Sequence, residues 1–168
     1  MSLVGFKARN HPQQRADANV DDRAITLEVF APLHARFRFT IDAAATPANA
    51  RLPRFWTLED DALAQSWAGE RVWCNPPYSN IGVWVRKAII QWGVAFPAEL
   101  IVMLLPANRT EQLWWQEHVE PRRDGRRLHG PRVEFLPGRM RFLRNGAQDI
   151  KPNERPPFGC CLLIWGAA

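Results

Sequence analysis

The apolar run over residues 99–105 most restricts the fold that this chain can adopt. Glu99 is followed by Leu, Ile, Val, Met, Leu and Leu, and Pro106 closes the run. A strand that is apolar on both faces is typical of a parallel sheet covered on each side, because a half-exposed strand would alternate apolar and polar residues. The run therefore predicts a buried central strand in an α/β protein.

The segments around this strand show helical patterns. Helical spacing predicts one helix over about 26–36, interrupted by Pro32, and another that follows Ser79 as its N-cap. Thr57 is expected to cap a short helix ending at Ala64, and Thr110 a further helix. The apolar stripe of the helix after Ser79 comprises Ile81, Val85, Ala88, Ile89 and Trp92.

Further strands are predicted over residues 38–43, 70–74, 132–136 and 158–165. After the Pro137-Gly138 turn, Met140 and Phe142 alternate with arginines, as a hairpin partner of the preceding strand would. Strands separated by helices imply a doubly wound α/β fold, with a mostly parallel sheet flanked by helices and a late antiparallel strand at one edge.

The length of 168 residues and the 46% apolar content predict one compact domain over residues 21–168. Residues 1–20 are polar and interrupted by proline, which predicts a flexible N-terminal arm. We expect a monomer. The formal net charge of +5 and the 19 arginines against 3 lysines favour a polyanionic partner, although a GC-rich coding sequence would give the same arginine bias.

The three cysteines, Cys74, Cys160 and Cys161, all lie in apolar runs, and two of them are adjacent. This pattern indicates neither a disulfide framework nor a metal site, and the four histidines show no ligand spacing. We therefore expect no metal and a reducing, cytoplasmic location. The N-terminus lacks the apolar core of a signal peptide, and no apolar stretch approaches 18 residues, so no contact with a membrane is expected.

The tetrapeptide Asn75-Pro76-Pro77-Tyr78 carries the most specific chemistry in the sequence. Proline fixes its own φ and favours an extended conformation in the preceding residue, so Asn75 and Pro76 are pre-set. Two consecutive prolines after a strand leave backbone carbonyls free to accept hydrogen bonds from a ligand. The alternative is a Pro-Pro turn in which the tyrosine packs only for its bulk.

Such acceptors suit the amino group of adenine, whose lone pair is delocalised into the ring. The Asn75 side-chain oxygen and the Pro76 carbonyl can each accept one N6 hydrogen, localising the lone pair and stabilising the positive charge of methyl transfer. Tyr78 offers an aromatic face to a base that has left its stack. The tetrapeptide therefore predicts methyl transfer to a flipped adenine.

The chain resembles the phage-type DNA N6-adenine methyltransferases, the small Dam-like enzymes, over about residues 21–165. The motifs that carry the resemblance are Phe39–Ala45, Asn49-Ala50, Trp67, Val72–Ser79, Trp84-Val85, Lys87-Ala88, Met103–Ala107, Phe135, Gly138-Arg139, Phe142 and Pro157-Phe158. The resemblance implies a minimal Rossmann-like methyltransferase fold. It also implies S-adenosylmethionine as methyl donor, double-stranded DNA as partner, and an enzyme encoded by a bacterium or by a phage or prophage in a bacterial host.

The resemblance also suggests which residues bind the cofactor. Asp42, Ala43 and Ala44 occupy the place of the Asp-Pro-x-x-Gly turn, whose backbone approaches the methionine portion, and Asn75 adjoins them. Alanines replace the glycines, so a turn of different shape is expected. Asp61, or Asp60 in its place, stands where a carboxylate accepts from the cofactor's adenine amine. A turn-capping role for Asp42 and a helix N-terminal charge for Asp61 remain open alternatives.

Arginines are the candidate DNA contacts. Arg122, Arg123, Arg126 and Arg127 surround a glycine turn, as in a phosphate-binding loop or an ordinary solvated loop. Arg109 and Arg139 lie where open α/β sheets usually expose their sites. Two other functions stay open: methylation of an RNA base or a protein glutamine, and a catalytically degenerate relative that binds DNA or cofactor without turnover.

Overall fold

A five-stranded mixed sheet lies at the centre of the computed structural model, which describes residues 23–122, 130–140, 142–144 and 158–167. The spatial order of the strands is β2-β3-β4-β7-β5. β2, β3 and β4 are parallel, and β7 runs antiparallel to both β4 and β5. The strands are β2 (Ile41–Asp42), β3 (Arg71–Cys74), β4 (Leu100–Pro106), β5 (Arg132–Phe135) and β7 (Cys160–Trp165).

Helices and a small two-stranded sheet surround the central sheet. The α-helices are α1 (Leu27–Phe37), α2 (Ile81–Gly93) and α3 (Leu113–His118), with 3-10 turns at Tyr78–Asn80 and Glu120–Arg122. β1 (Arg23–Ile25) pairs antiparallel with β6 (Phe142–Arg144). The mixed α/β class predicted from the sequence is thus confirmed. Within the described ranges no helix has the length and apolar character needed to cross a membrane.

β4 is buried at all seven positions, as its unbroken apolar sequence predicts. Successive side chains of a strand point to opposite faces, so β4 contributes to two separate cores. Ile101, Met103 and Leu105 pack in the core that contains α2 and α3. Leu100, Val102 and Leu104 pack in the core of α1 and β1. The protein therefore has three layers, with the sheet in the middle.

The antiparallel strand β7 lies inside the sheet, between β4 and β5, so its predicted place at one edge is wrong. All six of its residues are buried, and a strand without a polar face is better accommodated between two neighbours than at an exposed edge. β5, whose two end residues are exposed and whose two middle residues are half-buried, forms the edge instead.

The predicted hairpin after Pro137-Gly138 is also wrong. A turn does form there, with Gly138 at φ +71°, but β6 pairs with β1 and not with β5. Met140 and Phe142 are both buried in the core that contains α1. The burial of these two side chains beside α1 takes the chain from the edge of the large sheet to the small sheet.

The helix predicted from Thr57 to Ala64 is a series of turns. Its cap is present, since the Thr57 backbone N–H donates to the Asp60 carboxylate at 2.8 Å and the Asp60 N–H to the Thr57 hydroxyl at 3.3 Å. No helix follows, because Asp61 adopts φ +49° and Leu58 is almost fully exposed. The segment offers too little apolar surface to pack as a helix.

Other differences concern element ends. α2 begins at Ile81, with Asn80 as its N-cap, and α3 begins after Gln112. The β2 strand is limited to two residues of the predicted 38–43. β1 was not predicted. The proposed N-terminal arm, residues 1–20, lies outside the described residues.

Candidate active site

Asn75 and Asp42 lie together at the carboxyl end of two neighbouring parallel strands. Asn75 directly follows β3, Asp42 ends β2, and the register pairs Asp42 with Trp73. Both side chains line a small cavity, together with Ala44, Asn49 and Arg51 among others. The cavity measures about 20 Å³, which is room for one group the size of a water molecule.

The tetrapeptide forms a stiff link between β3 and α2. Pro76 is buried, Asn75 and Pro77 are half-buried, and Pro77 has φ −54°, so Tyr78 enters a 3-10 turn that leads into α2. The Tyr78 hydroxyl donates to Asn75 Oδ1 at 3.3 Å. The Asn75 oxygen therefore accepts a hydrogen bond in this structure, as its proposed role toward an amino group requires.

Two phenylalanines from the last part of the chain pack around Tyr78. Phe142 and Phe158 contact its ring edge to face, with centroids 6.3 and 6.2 Å away. Edge-to-face pairs of this kind favour one orientation of each ring. Tyr78 itself is half-buried and lines a larger cleft, so its ring is held in place without being sealed in the core.

Asp42 is a buried carboxyl group, with 2% of its surface exposed. Its oxygens accept hydrogen bonds from the backbone N–H groups of Arg51 at 3.1 Å and Ala44 at 3.4 Å. Burial raises the pKa of Asp42 to about 6, against the lowering effect of these bonds and of the Arg51 charge. Asp42 therefore caps the turn that follows it, and it also presents a carboxyl group to the cavity.

The alanine turn after Asp42 forms without the conformation that would require glycine. The non-glycine residues with positive φ in the described ranges are Arg38 and Asp61, so Ala43, Ala44 and Ala45 carry no left-handed strain. The Ala43 N–H donates to the Trp73 carbonyl at 2.8 Å, and its side chain is buried in the core. Ala44 lines the cavity.

Arg51 adds a cation to the same cavity. The chain returns toward Asp42 at this point, because the Arg51 backbone N–H bonds to the Asp42 carboxylate. Burial lowers the pKa of the Arg51 guanidinium, although the Asp42 charge opposes this effect. Its Nε is buried without a hydrogen-bond partner among the described residues. No periodic pattern or motif in the sequence marks this arginine.

A wider cleft of about 390 Å³ opens on the other side of Tyr78, between the first turns of α2 and α3. Arg86 of α2 and Arg109, which follows β4, both line it. The predicted candidate Arg109 thus shares a cleft with Tyr78. No sequence motif marks Arg86, and only the packing of α2 against α3 brings it to this cleft.

The other predicted residues are dispersed. Asp61 is exposed in the turn before Trp67, and its carboxylate accepts from the Leu63 N–H at 3.2 Å, so it does not line the cavity of Asn75. Arg122 donates to the Glu117 carbonyl at 2.9 Å, and Arg139 is exposed near the Gly138 turn. Arg123, Arg126 and Arg127 lie outside the described residues.

The cysteines are buried and free. Burial raises the pKa of the Cys160 and Cys161 thiols to about 12 and that of Cys74 well above its ordinary value. Among the described residues, no group of three or more His, Cys, Asp or Glu side chains is arranged to hold a metal ion.

Similarity to known proteins identifies the family. The model of the family described as DNA N-6-adenine-methyltransferase (Dam) matches residues 13–158. The chain therefore belongs to this family of DNA N6-adenine methyltransferases.

Two relatives carry the same printed description, "DNA N-6-adenine-methyltransferase". The protein of Escherichia phage T1 is 35% identical over 114 residues, which are 67% of this chain and 44% of the phage protein. The protein of Haemophilus phage HP1 (strain HP1c1) is 28% identical over 107 residues, 64% of this chain and 60% of the relative. The matches thus cover about half the length of these two relatives.

Proposed function

We propose that this protein methylates the N6 amino group of adenine in double-stranded DNA, with S-adenosylmethionine as methyl donor. The observation that carries the proposal is the tetrapeptide beginning at Asn75, which follows a parallel strand beside the buried Asp42 in a member of this family. We further propose that the sheet is a reduced Rossmann-like one, which agrees with its three adjacent parallel strands.

In the proposed reaction, Asn75 holds the target amine. Its side-chain oxygen accepts one N6 hydrogen in place of the Tyr78 hydroxyl that now occupies it, and the Pro76 carbonyl accepts the other. These two acceptors localise the nitrogen lone pair and stabilise the positive charge that grows as the carbon–nitrogen bond forms. The cofactor, when bound, would supply an electrophilic methyl group whose bond to sulfur breaks, which releases S-adenosylhomocysteine, and the surplus N6 proton would leave to solvent.

Tyr78 supplies the aromatic surface for the base outside its stack. Unstacking a base costs a few kcal/mol, and an aromatic face returns part of this cost. The packing of Phe142 and Phe158 against the tyrosine ring supports this role, because it limits the freedom of the ring before the base arrives.

The chemistry of the small cavity fits the charged end of S-adenosylmethionine. Asp42 is a buried carboxyl group, and Arg51 has a buried N–H in need of an acceptor among the described residues. We propose that Asp42, the backbone of Ala43 and Ala44, and Asn75 hold the methionine portion. Asp61 does not line this cavity, and its contact with the adenine amine of the cofactor stays a prediction.

DNA would approach across the cleft beside Tyr78, which Arg86 and Arg109 line together with the first residues of α2. Guanidinium groups and helix N-termini are both common phosphate contacts, and such contacts fix the register of a protein on a duplex. Contacts by Arg122, Arg123, Arg126, Arg127 and Arg139 stay predictions. We expect one chain to suffice, and we place the reaction in a bacterial cytoplasm.

The test is incubation of the purified protein with labelled S-adenosylmethionine and duplex DNA, followed by detection of N6-methyladenine. Asn75→Ala should lower the rate roughly a hundredfold or more, because it removes one of two oriented acceptors. Gln65→Ala, an exposed amide that lines neither cavity, is the control and should leave the rate unchanged.

Three outcomes would count against the proposal. An unaffected rate in folded Asn75→Ala would remove the role of that residue. Label appearing in RNA or in protein glutamine instead of DNA would change the substrate class. Binding of cofactor and DNA without any product would identify a catalytically degenerate member of the family.

A further inference from the structure

The guanidinium Nε of Arg51 is a buried hydrogen-bond donor beside the candidate cofactor site. The residue lines the small cavity beside Asp42 and Asn75, and its Nε is buried without an acceptor in the part of the chain that the structure describes. A buried donor without a partner costs free energy that an arriving acceptor would recover. A folded protein retains such a group most readily where a ligand supplies that acceptor.

The opposite charge lies across the same cavity. The hydrogen bonds that the Asp42 carboxylate accepts come from the backbone N–H groups of Ala44 and Arg51. The Arg51 guanidinium acts on Asp42 through its charge. The cavity therefore presents a cationic and an anionic side chain, each at least partly removed from water, and low water content strengthens interactions with a ligand of matching charges.

An amino acid zwitterion has the complementary pattern, with a carboxylate and an ammonium on one carbon atom. The cavity of about 20 Å³ is too small for a whole cofactor, so it suits only the end of a ligand. A nucleic-acid phosphate carries only negative charge and would be repelled by ionised Asp42. The lining thus favours the methionine end of S-adenosylmethionine over DNA.

We propose that Arg51 binds the α-carboxylate of S-adenosylmethionine, while Asp42 faces its α-ammonium group. This inference rests on the proposed function, since it concerns the same cofactor. Arg51 would thus make the cofactor site specific for ligands that carry an amino acid end. Guanidinium suits the role because it can donate two parallel hydrogen bonds to one carboxylate.

The experiment compares two ligands by isothermal titration calorimetry. S-adenosylhomocysteine has the amino acid end, whereas 5′-methylthioadenosine keeps the adenosine and the thioether but lacks that end. Wild-type protein should prefer S-adenosylhomocysteine. In Arg51→Gln the affinity for S-adenosylhomocysteine should fall roughly tenfold to a hundredfold, the range expected for a lost charge-assisted pair. The affinity of the same variant for 5′-methylthioadenosine should stay within about twofold of the wild-type value.

Two further variants control for indirect effects. Arg51→Lys keeps the charge and should recover part of the lost affinity, which a purely structural role in the loop would not produce. Arg54→Gln changes an exposed arginine of the same loop that pairs with Glu70, so it should leave both affinities at wild-type values. Thermal melting of each variant checks that the fold is intact.

The outcomes separate this inference from the function on which it rests. Equal losses for both ligands in Arg51→Gln, no loss for S-adenosylhomocysteine, or a loss confined to DNA affinity would each overturn the role of Arg51 alone. Wild-type protein that binds neither ligand would overturn the proposed cofactor and this inference with it.

Discussion

Replacing Asp42 with asparagine should change the way the free energy of unfolding depends on pH. Burial raises the pKa of this carboxyl group from an ordinary 3.8 to about 6 in the folded protein. Each pH unit between the two values corresponds to about 1.4 kcal/mol, so the whole interval amounts to about 3 kcal/mol. The group is 2% exposed, and screening by solvent is therefore small.

The direction follows from the raised pKa. Below pH 3.8 Asp42 is protonated in both the folded and the unfolded states, and its contribution to stability is fully present. As the pH rises toward 6, the unfolded chain ionises more readily than the folded one, so stability falls. Above pH 6 both states are ionised, and the loss of about 3 kcal/mol is complete.

Asparagine removes this titration but also replaces an acceptor oxygen by a donor group. One of the backbone N–H groups of Ala44 and Arg51 then loses its partner, at a cost of about 1–3 kcal/mol that does not depend on pH. The quantity to compare at each pH is therefore the free energy of unfolding of the wild type minus that of the variant. That difference should fall by about 3 kcal/mol between pH 3.5 and pH 7.

Urea unfolding followed by tryptophan fluorescence measures this difference, since the chain has 8 tryptophans. Asp60→Asn is the matched control, because hydrogen bonds from Thr57 lower the pKa of this exposed carboxyl group. Its contribution is present at neutral pH and is lost on acidification, so its profile should have the opposite sign. A pH-independent difference for Asp42→Asn would refute the assigned cause, which is burial of the carboxylate.

Three further pairs of variants test other parts of the structure. Tyr78→Phe keeps the ring and should methylate within a few fold of wild type, whereas Tyr78→Ala should raise the KM for DNA about tenfold or more in steady-state assays. Arg109→Ala should weaken DNA binding and reduce the salt dependence of log Kd by about one unit in fluorescence anisotropy, while Arg38→Asn, at the opposite end of the sheet, should not. Gly166→Ala should lower the free energy of unfolding by about 2 kcal/mol, because the residue has φ +103° and the new Cβ would lie 2.9 Å from a backbone oxygen. Gly159→Ala, whose Cβ would meet no atom closer than 3.9 Å, should be nearly neutral, and equal effects of the two substitutions would contradict the steric argument.

The parts of the fold that the sequence predicted well are those with a local signal. β4 is apolar at every position, and the stripe of α2 recurs at helical spacing, so both elements could be identified within a few residues. The place of β7 depends on which strands pair across long stretches of chain, and no local pattern contains that information. The helix predicted after Thr57 was wrong for a different reason. Its cap forms, but a cap cannot compensate for the absence of an apolar face.

The residues of the candidate site also differ in whether a local sequence signal predicts their position. Asn75 and Asp42 could be expected to meet, since each follows a strand and parallel strands end at one edge of the sheet. Arg51 could not be expected there, because only the return of the loop to the Asp42 carboxylate brings it to the cavity. Arg86 needed the packing of α2 beside α3 before its side chain could be assigned to the cleft.

The position of β7 also affects when the central sheet can form during synthesis. β5 leaves the ribosome before β7, yet in the sheet it pairs with β7 and has no contact with β4 as a neighbouring strand. Until residues 160–165 emerge, β4 has an unpaired apolar edge and β5 has no strand to join. The nascent chain therefore exposes a half-formed sheet with an unpaired apolar edge until β7 has been synthesised, a period in which a chaperone or slow elongation would affect the yield of folded protein.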